Sequence, residues 1–248
     1  DPEAAQRVGE AHGAGPDRGE AKQKVPIEGE LKAPVDPACS VPDLLAPEQG
    51  LLRHIVDPLQ RRLVVTRHDP TAHVAVYFIN DDAMRVTQLP GEPTKLIANL
   101  PYNVSVPVLL HFLESFPSIK SGIVMVQSEV AMRLAASPGS KNYGAPSAKA
   151  AWWSDVSLSY SVSRKVFWPI PNVDSSLVSF QRHEPLGDEA LRKATFKVID
   201  LAFGKRRKML RAALAELFTS SAAAENALRE IDIDPTLRGE SLSVHDFL

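Results

Sequence analysis

Large apolar residues are nearly missing from Asp1 to Lys32, where Gly, Pro, Ala, Glu and Arg dominate; a stretch with so little to bury is expected to be disordered. They return as short clusters between Ala33 and Asp82, at Leu44-Leu45, Leu51-Leu52 and Val74-Ala75-Val76-Tyr77-Phe78-Ile79. The last cluster, ended by Asn80-Asp81-Asp82, predicts a buried strand. Lys95-Leu96-Ile97-Ala98 predicts another, stopped by Asn99-Leu100-Pro101-Tyr102, and Val106 to Phe116 has the length and pattern of a helix. Ile123-Val124-Met125-Val126 predicts a further buried strand, and Ser128 to Ala136 a helix closed by Pro138-Gly139. Strands alternating with helices imply a doubly wound α/β sheet.

From Trp152 to Phe180 the residues become β-branched and aromatic, broken by Pro169 and Pro171, as expected of later, antiparallel strands. After His183-Glu184-Pro185-Leu186-Gly187 helix formers take over, and Glu189 to Phe203 and Arg206 to Leu217 read as amphipathic helices. The expected organisation is a disordered segment over 1–32, an α/β domain over 33–184 and a small all-helical domain over 185–248. No internal repeat is visible.

At 248 residues and 44% hydrophobic, the chain can bury one large core and a second, smaller one. A formal net charge of -2 leaves room for a nucleic-acid face only as a local patch. Cys39 is the only cysteine, which excludes an internal disulfide framework and a cysteine-based zinc site. The seven histidines have no metal-ligand spacing, so no metal is expected. No run approaches the ~20 apolar residues of a membrane span, and residues 1–20 lack the apolar centre of a signal peptide. A cytoplasmic monomer that does not enter a membrane is the expectation. The chain starts at Asp1 rather than Met, as a fragment or a trimmed product would.

Asn99-Leu100-Pro101-Tyr102 falls where a strand should end, the edge at which open α/β sheets place ligands. An exocyclic adenine amine is a poor nucleophile because its lone pair is delocalised into the ring. A site that methylates it should accept hydrogen bonds from the N6 hydrogens, through an Asn side-chain oxygen and a backbone carbonyl. Pro101 fixes the backbone without adding a donor, and Tyr102 offers a flat face for a base drawn out of its stack. The same four residues also suit a plain turn with an aromatic plug.

The run Ile97-Ala98-Asn99-Leu100-Pro101-Tyr102-Asn103-Val104 resembles the signature loop of the KsgA-like family of 16S ribosomal RNA adenine dimethyltransferases. Val126-Gln127-Ser128-Glu129-Val130-Ala131 with Arg133-Leu134, then Pro138-Gly139-Ser140-Lys141 and Tyr143-Gly144, is similar to the block that follows it. Phe167-Trp168-Pro169-Ile170-Pro171-Asn172-Val173-Asp174-Ser175 resembles the family's F-x-P-x-P-x-V-x-S motif, and Ala202-Phe203, Arg206-Arg207-Lys208, Leu210-Arg211 and the tail from Ile233 to Ser243 complete the pattern. The resemblance implies a Rossmann-like S-adenosylmethionine-dependent methyltransferase sheet with a small C-terminal all-helical domain. It implies that Asn99, Leu100, Pro101 and Tyr102 hold the target adenine, that Phe167 covers its second face, and that Asn99 also borders the methyl donor. For Phe167 alone, core packing is the competing reading.

Toward S-adenosylmethionine the resemblance points to Gly50, Asp57, Asp82 and Ala83, and the front third departs from the pattern there. Only Gly50 remains of the family's Gly-rich loop, Glu48 sits where backbone must approach closely, and Ile55 stands where the ribose-binding acid belongs, with Asp57 a weak substitute. Leu51 to Val56 are too few for the helix and strand of a βαβ unit. That third is divergent, deleted or read in an altered frame. Lys205, Arg206, Arg207, Lys208 and Arg211, with Lys165 beside the Phe167 motif, are the candidate RNA contacts; such a run is otherwise a solvated helix face. The expected function is N6,N6-dimethylation of adenines in small-subunit ribosomal RNA or a pre-30S particle. The alternative is a catalytically impaired relative that binds RNA or the ribosome as an assembly factor. A DNA adenine methylase fits less well, because those enzymes usually carry an acidic residue or a second proline in the loop.

Overall fold

A computed structural model describes the backbone of residues 53–57, 62–67 and 75–79, and residues 81–248 in full. Cys39, Gly50 and the segment expected to be disordered lie outside the described residues, as does the side chain of Asp57. Among the described residues seven strands are formed: β1 Arg53–Asp57, β2 Arg62–Arg67, β3 Ala75–Ile79, β4 Lys95–Asn99, β5 Ser121–Gln127, β6 Ser154–Val162 and β7 Ser175–Arg182. The α-helices among the described residues are α1 Ser105–Ser115, α2 Ser128–Leu134, α3 Ala145–Ala150, α4 Glu189–Gly204, α5 Leu210–Ala213 and α6 Ser221–Glu230.

The four-stranded sheet runs β4-β5-β7-β6. Parallel strands need a crossover, and α1 provides it between β4 and β5. Its apolar face, Val108, Leu109, Phe112 and Leu113, closes over Leu96, Ala98, Val124 and Val126 of the sheet, all nearly fully buried. Truncating a side chain placed like Phe112 typically costs about 3–5 kcal/mol. The helix stops at Ser115, next to Phe116-Pro117, because a residue before proline is pushed away from helical geometry. In β5, Gly122 is required: a Cβ there would collide with the Leu96 carbonyl oxygen and the Phe180 ring.

β7 is antiparallel to β5, with Gln127 opposite Ser175, and β6 is antiparallel to β7, with Val162 opposite Ser175. The end of β4, the end of β5 and the 163–174 loop therefore meet at one edge of the sheet. The predicted strands at 74–79, 95–98 and 123–126 and the helix from Val106 all form, shifted by one or two residues. α3 and α6, short and rich in alanine, carry few large apolar residues to mark them in the sequence and were not predicted.

The doubly wound pattern holds at β4-α1-β5 but not in front of it. β1, β2 and β3 form an antiparallel sheet in that order, joined only by residues 58–61 and 68–74, and β1 runs beside β4. Connections of that length can close hairpins but cannot hold a crossover helix.

Beyond β7 the chain is helical. Asp188 caps α4 by accepting the Leu191 N–H at 2.8 Å. Ile199, Ala202, Leu210, Leu214, Leu228, Leu242 and Phe247 form a second apolar cluster with Tyr143 and Ala148. Arg192 ties α4 to α1, donating to Glu114 at 2.6 Å while its guanidinium lies over the Trp153 and Phe196 rings. The single helix expected from Arg206 to Leu217 is not formed: residues 205–208 are a turn, α5 spans Leu210–Ala213, and Leu214–Glu216 tighten into a 3-10 turn. The basic run therefore precedes the helix instead of opening it. Two of its side chains, Arg206 and Lys205, pair with Lys141 and Glu216 in other segments, so tertiary partners compete with helix propensity there.

Candidate active site

The loop after β4 is fixed by bonds at both ends. Asn99 is the last β4 residue, in register with Met125, and the Leu100 N–H donates to the Met125 carbonyl at 3.1 Å. Leu100, 1% exposed, anchors the loop in the core. The Pro101 carbonyl accepts the Val104 N–H at 3.1 Å, and the Tyr102 carbonyl accepts the Ser105 hydroxyl at 3.2 Å, so the chain turns directly into α1. The Asn99 amide is partly exposed and makes no side-chain hydrogen bond among the described residues, which leaves both its donor and its acceptor for a ligand.

Tyr102 and Ser175 hydroxyls lie 2.7 Å apart, joining this loop to the first residue of β7. Just before Ser175, the Asp174 carboxylate accepts the Arg164 N–H at 2.9 Å and its carbonyl accepts the Ser128 N–H at 3.0 Å. The loop carrying Phe167 is thus pinned against the loop carrying Asn99. Phe167 is half-buried, with its N–H donating to the Arg164 carbonyl at 3.3 Å, and the following Trp168–Pro169 peptide is cis. Ser175 stands in the motif that the sequence displays, but its role as the partner of Tyr102 appears only in three dimensions.

A family model described as ribosomal RNA adenine dimethylase matches residues 53–248. The chain belongs to that family. It is 54% identical over 188 residues to the ribosomal RNA small subunit methyltransferase A of Leifsonia xyli, covering 75% of this chain and 67% of that one. Its counterparts in Thermobifida fusca and Streptomyces coelicolor are 52% and 57% identical, covering 74% and 68% of this chain and 64% and 60% of theirs. The chain thus spans about 60–67% of the length of these curated relatives. Among solved structures it is similar to a dimethyladenosine transferase from Plasmodium falciparum, with a TM-score of 0.58, 22% identity and 68% of each chain covered. It is also similar to the 23S rRNA methyltransferase ErmE, with a TM-score of 0.50, 20% identity and 68% of each chain covered. Those two likenesses establish the fold, an α/β sheet of Rossmann-like type.

The remaining candidates are distributed differently. Asp82 follows β3 in a turn, its carboxylate accepting the Met84 N–H at 3.0 Å and its carbonyl the Arg85 N–H at 2.8 Å, and Ala83 is buried beneath it. Arg206 donates to the Lys141 carbonyl at 2.6 Å and to Glu240 at 3.0 Å, so it holds the C-terminal tail to the segment after α2. Arg211 pairs with Glu225 at 2.7 Å, and Lys205 approaches Glu216 at 3.9 Å. Arg207, Lys208 and Lys165 are exposed and have no ion pair among the described residues. No hydrogen bond or ion pair among the described residues joins the 205–211 run to the Phe167 loop. Nor do the described residues contain a group of acidic, His or Cys side chains placed to hold a metal, or a helix long and apolar enough to cross a membrane.

Proposed function

We propose that this chain carries the adenine-holding half of an N6,N6-dimethyltransferase for small-subunit ribosomal RNA, acting as a monomer in the cytoplasm on the RNA or a pre-30S particle. The observation that supports it best is the Asn99-Tyr102 loop, set at the end of β4 and braced on β7 by the Tyr102–Ser175 bond. A flipped adenine would place its N6 hydrogens on the Asn99 side-chain oxygen and a loop carbonyl, drawing electron density toward nitrogen as charge develops there. Tyr102, its hydroxyl held by Ser175, would present a ring of fixed orientation to one face of the base, and Phe167 would cover the other. Orientation of this kind provides most of what a methyl transfer needs, since no strong base is called for.

S-adenosylmethionine, the methyl donor this family implies, would supply an electrophilic methyl group. Of the described residues, Asp82, Ala83 and Asn99 are offered toward it, but the antiparallel β1-β2-β3 sheet lacks the parallel strand, loop and helix that would aim backbone N–H groups at it. The described residues do not fit that group. This same observation favours a second reading, a binder that holds the RNA as an assembly factor without transferring methyl groups. Incubation with labelled S-adenosylmethionine and small-subunit ribosomal RNA separates the two. Label in adenine supports the enzyme, RNA binding without label the binder, and neither result would leave both readings without support.

A further inference from the structure

The 163–174 loop has a rigid neck and an apolar tip. At the neck, Arg164 donates from its backbone to Asp174 at 2.9 Å and from its guanidinium to the Asn172 carbonyl at 3.3 Å, while Ser163 accepts the Lys165 N–H at 3.3 Å. At the tip, Val166, Trp168 and Ile170 are 68%, 95% and 61% exposed. The other two tryptophans, Trp152 and Trp153, are 1% and 3% exposed, so the chain buries indoles elsewhere and leaves this one in water. Pro169 and Pro171 restrict the backbone around it, so ordering the ring against a ligand costs little further entropy.

Charge decides what kind of ligand fits. From Tyr160 to Val173 there is no acidic residue, whereas Arg164 and Lys165 are exposed at the base of the tip. Aromatic surface beside cations on a rigid loop is how unpaired nucleic acid is held: the ring stacks a base while the cations meet phosphates. Direction follows from the backbone. Phe167 is extended, with φ -104° and ψ 149°, so the side chains on either side of it alternate. Phe167 is half-buried whereas Trp168 stands almost wholly in solvent, so the two rings meet different surroundings.

We propose that Trp168 is a stacking platform for an unpaired RNA base flanking the adenine held at Asn99–Tyr102, an inference that rests on the adenine-holding reading above. The two neighbouring rings then grip two different bases: Phe167 the target and Trp168 the one beside it. Sequence tolerance is expected at the flanking position, since every base has a π face.

Trp168 is the only exposed tryptophan among the described residues, so acrylamide-quenchable emission reports on it directly. The probes are a labelled RNA hairpin with adenines in an unpaired loop and a blunt RNA duplex of equal length, with affinity read from RNA anisotropy. Hairpin binding should shield Trp168 from acrylamide and the duplex should not. Trp168→Ala should bind the hairpin roughly 10-fold more weakly, with duplex affinity unchanged, while Trp168→Phe stays within about 3-fold of wild type and Trp168→Leu falls with Ala. Hairpin binding with Trp168 still open to acrylamide and full affinity in Trp168→Ala would overturn the stacking role and leave the Asn99–Tyr102 reading in place. Full affinity in Trp168→Leu would mean a plain apolar contact, as with a protein partner, and also overturns it. A wild-type chain that binds neither RNA removes both readings together.

Discussion

The hydroxyls of Tyr102 and Ser175, 73 residues apart in the chain, lie 2.7 Å from each other, and Ser175 is fully buried. This bond couples the loop that ends β4 to the strand that begins where the Phe167 loop ends. Tyr102→Phe should lower stability by about 1 kcal/mol, the usual worth of one such hydrogen bond, read as a shift in the urea unfolding midpoint. Ser175→Ala should cost a similar amount, and the double variant no more than either single one plus a few tenths, because both remove the same bond. Full additivity would show that the two hydroxyls do not act together.

Asn99 is the residue on which adenine chemistry depends in the proposed function. Asn99→Ala should reduce methyl transfer to RNA on the order of 10²-fold or more while leaving RNA affinity nearly unchanged. Undiminished turnover in that variant would remove the loop from the mechanism.

The basic run should divide by partner. Arg207 and Lys208 have no ion pair among the described residues, so changing both to Ala should flatten the salt dependence of RNA binding by roughly 1 to 2 units of slope. Arg206→Ala should instead lower the unfolding midpoint, because Arg206 holds Lys141 and Glu240. If Arg206→Ala alone produced the loss of salt slope, the division would be wrong.

Donor affinity should be low. The loss of two ribose hydrogen bonds to a carboxylate, at about 1.5–3 kcal/mol each, would by itself weaken S-adenosylmethionine binding by roughly two to four decades relative to a family member with a complete Gly-rich loop. Calorimetric titration measures it. Micromolar affinity in this chain would mean that the residues in front of β4 build a pocket despite the antiparallel pairing of β1 to β3.

An acid limb should appear in the stability profile. Hydrogen bonds from Arg192, then Lys193, hold the Glu189 carboxyl below its ordinary 4.5, down to about 2. The carboxylate's contribution is therefore present above pH 4.5 and is lost as pH falls toward about 2. Glu189→Gln should flatten the unfolding midpoint against pH across that window; an unchanged slope would show that solvent screens the exposed pair.

How much was legible in the sequence differs from element to element, for physical reasons. Short-range patterns specified β4, α1, β5 and α4, because alternation and 3.6-residue periodicity act within a few residues. The motifs at Asn99–Tyr102 and Phe167–Ser175 were equally visible, since their residue types are what the proposed chemistry requires. The direction of β1 to β3 was not, because a strand of five or six residues does not state whether its neighbour is parallel. Pairing settled it: residues 58–61 and 68–74 can close only antiparallel turns. The fate of the basic run was equally hidden. Arg206 and Arg207 are adjacent and identical in the sequence, and only the folding of Lys141 and Glu240 around one of them makes Arg206 a clamp and leaves Arg207 in solvent. Tyr102 found Ser175 in the same way. The sequence by itself determined the residue types and the local elements, and tertiary structure decided which side chains became partners, because a hydrogen bond across 73 residues exists only after the sheet has brought its strands into register.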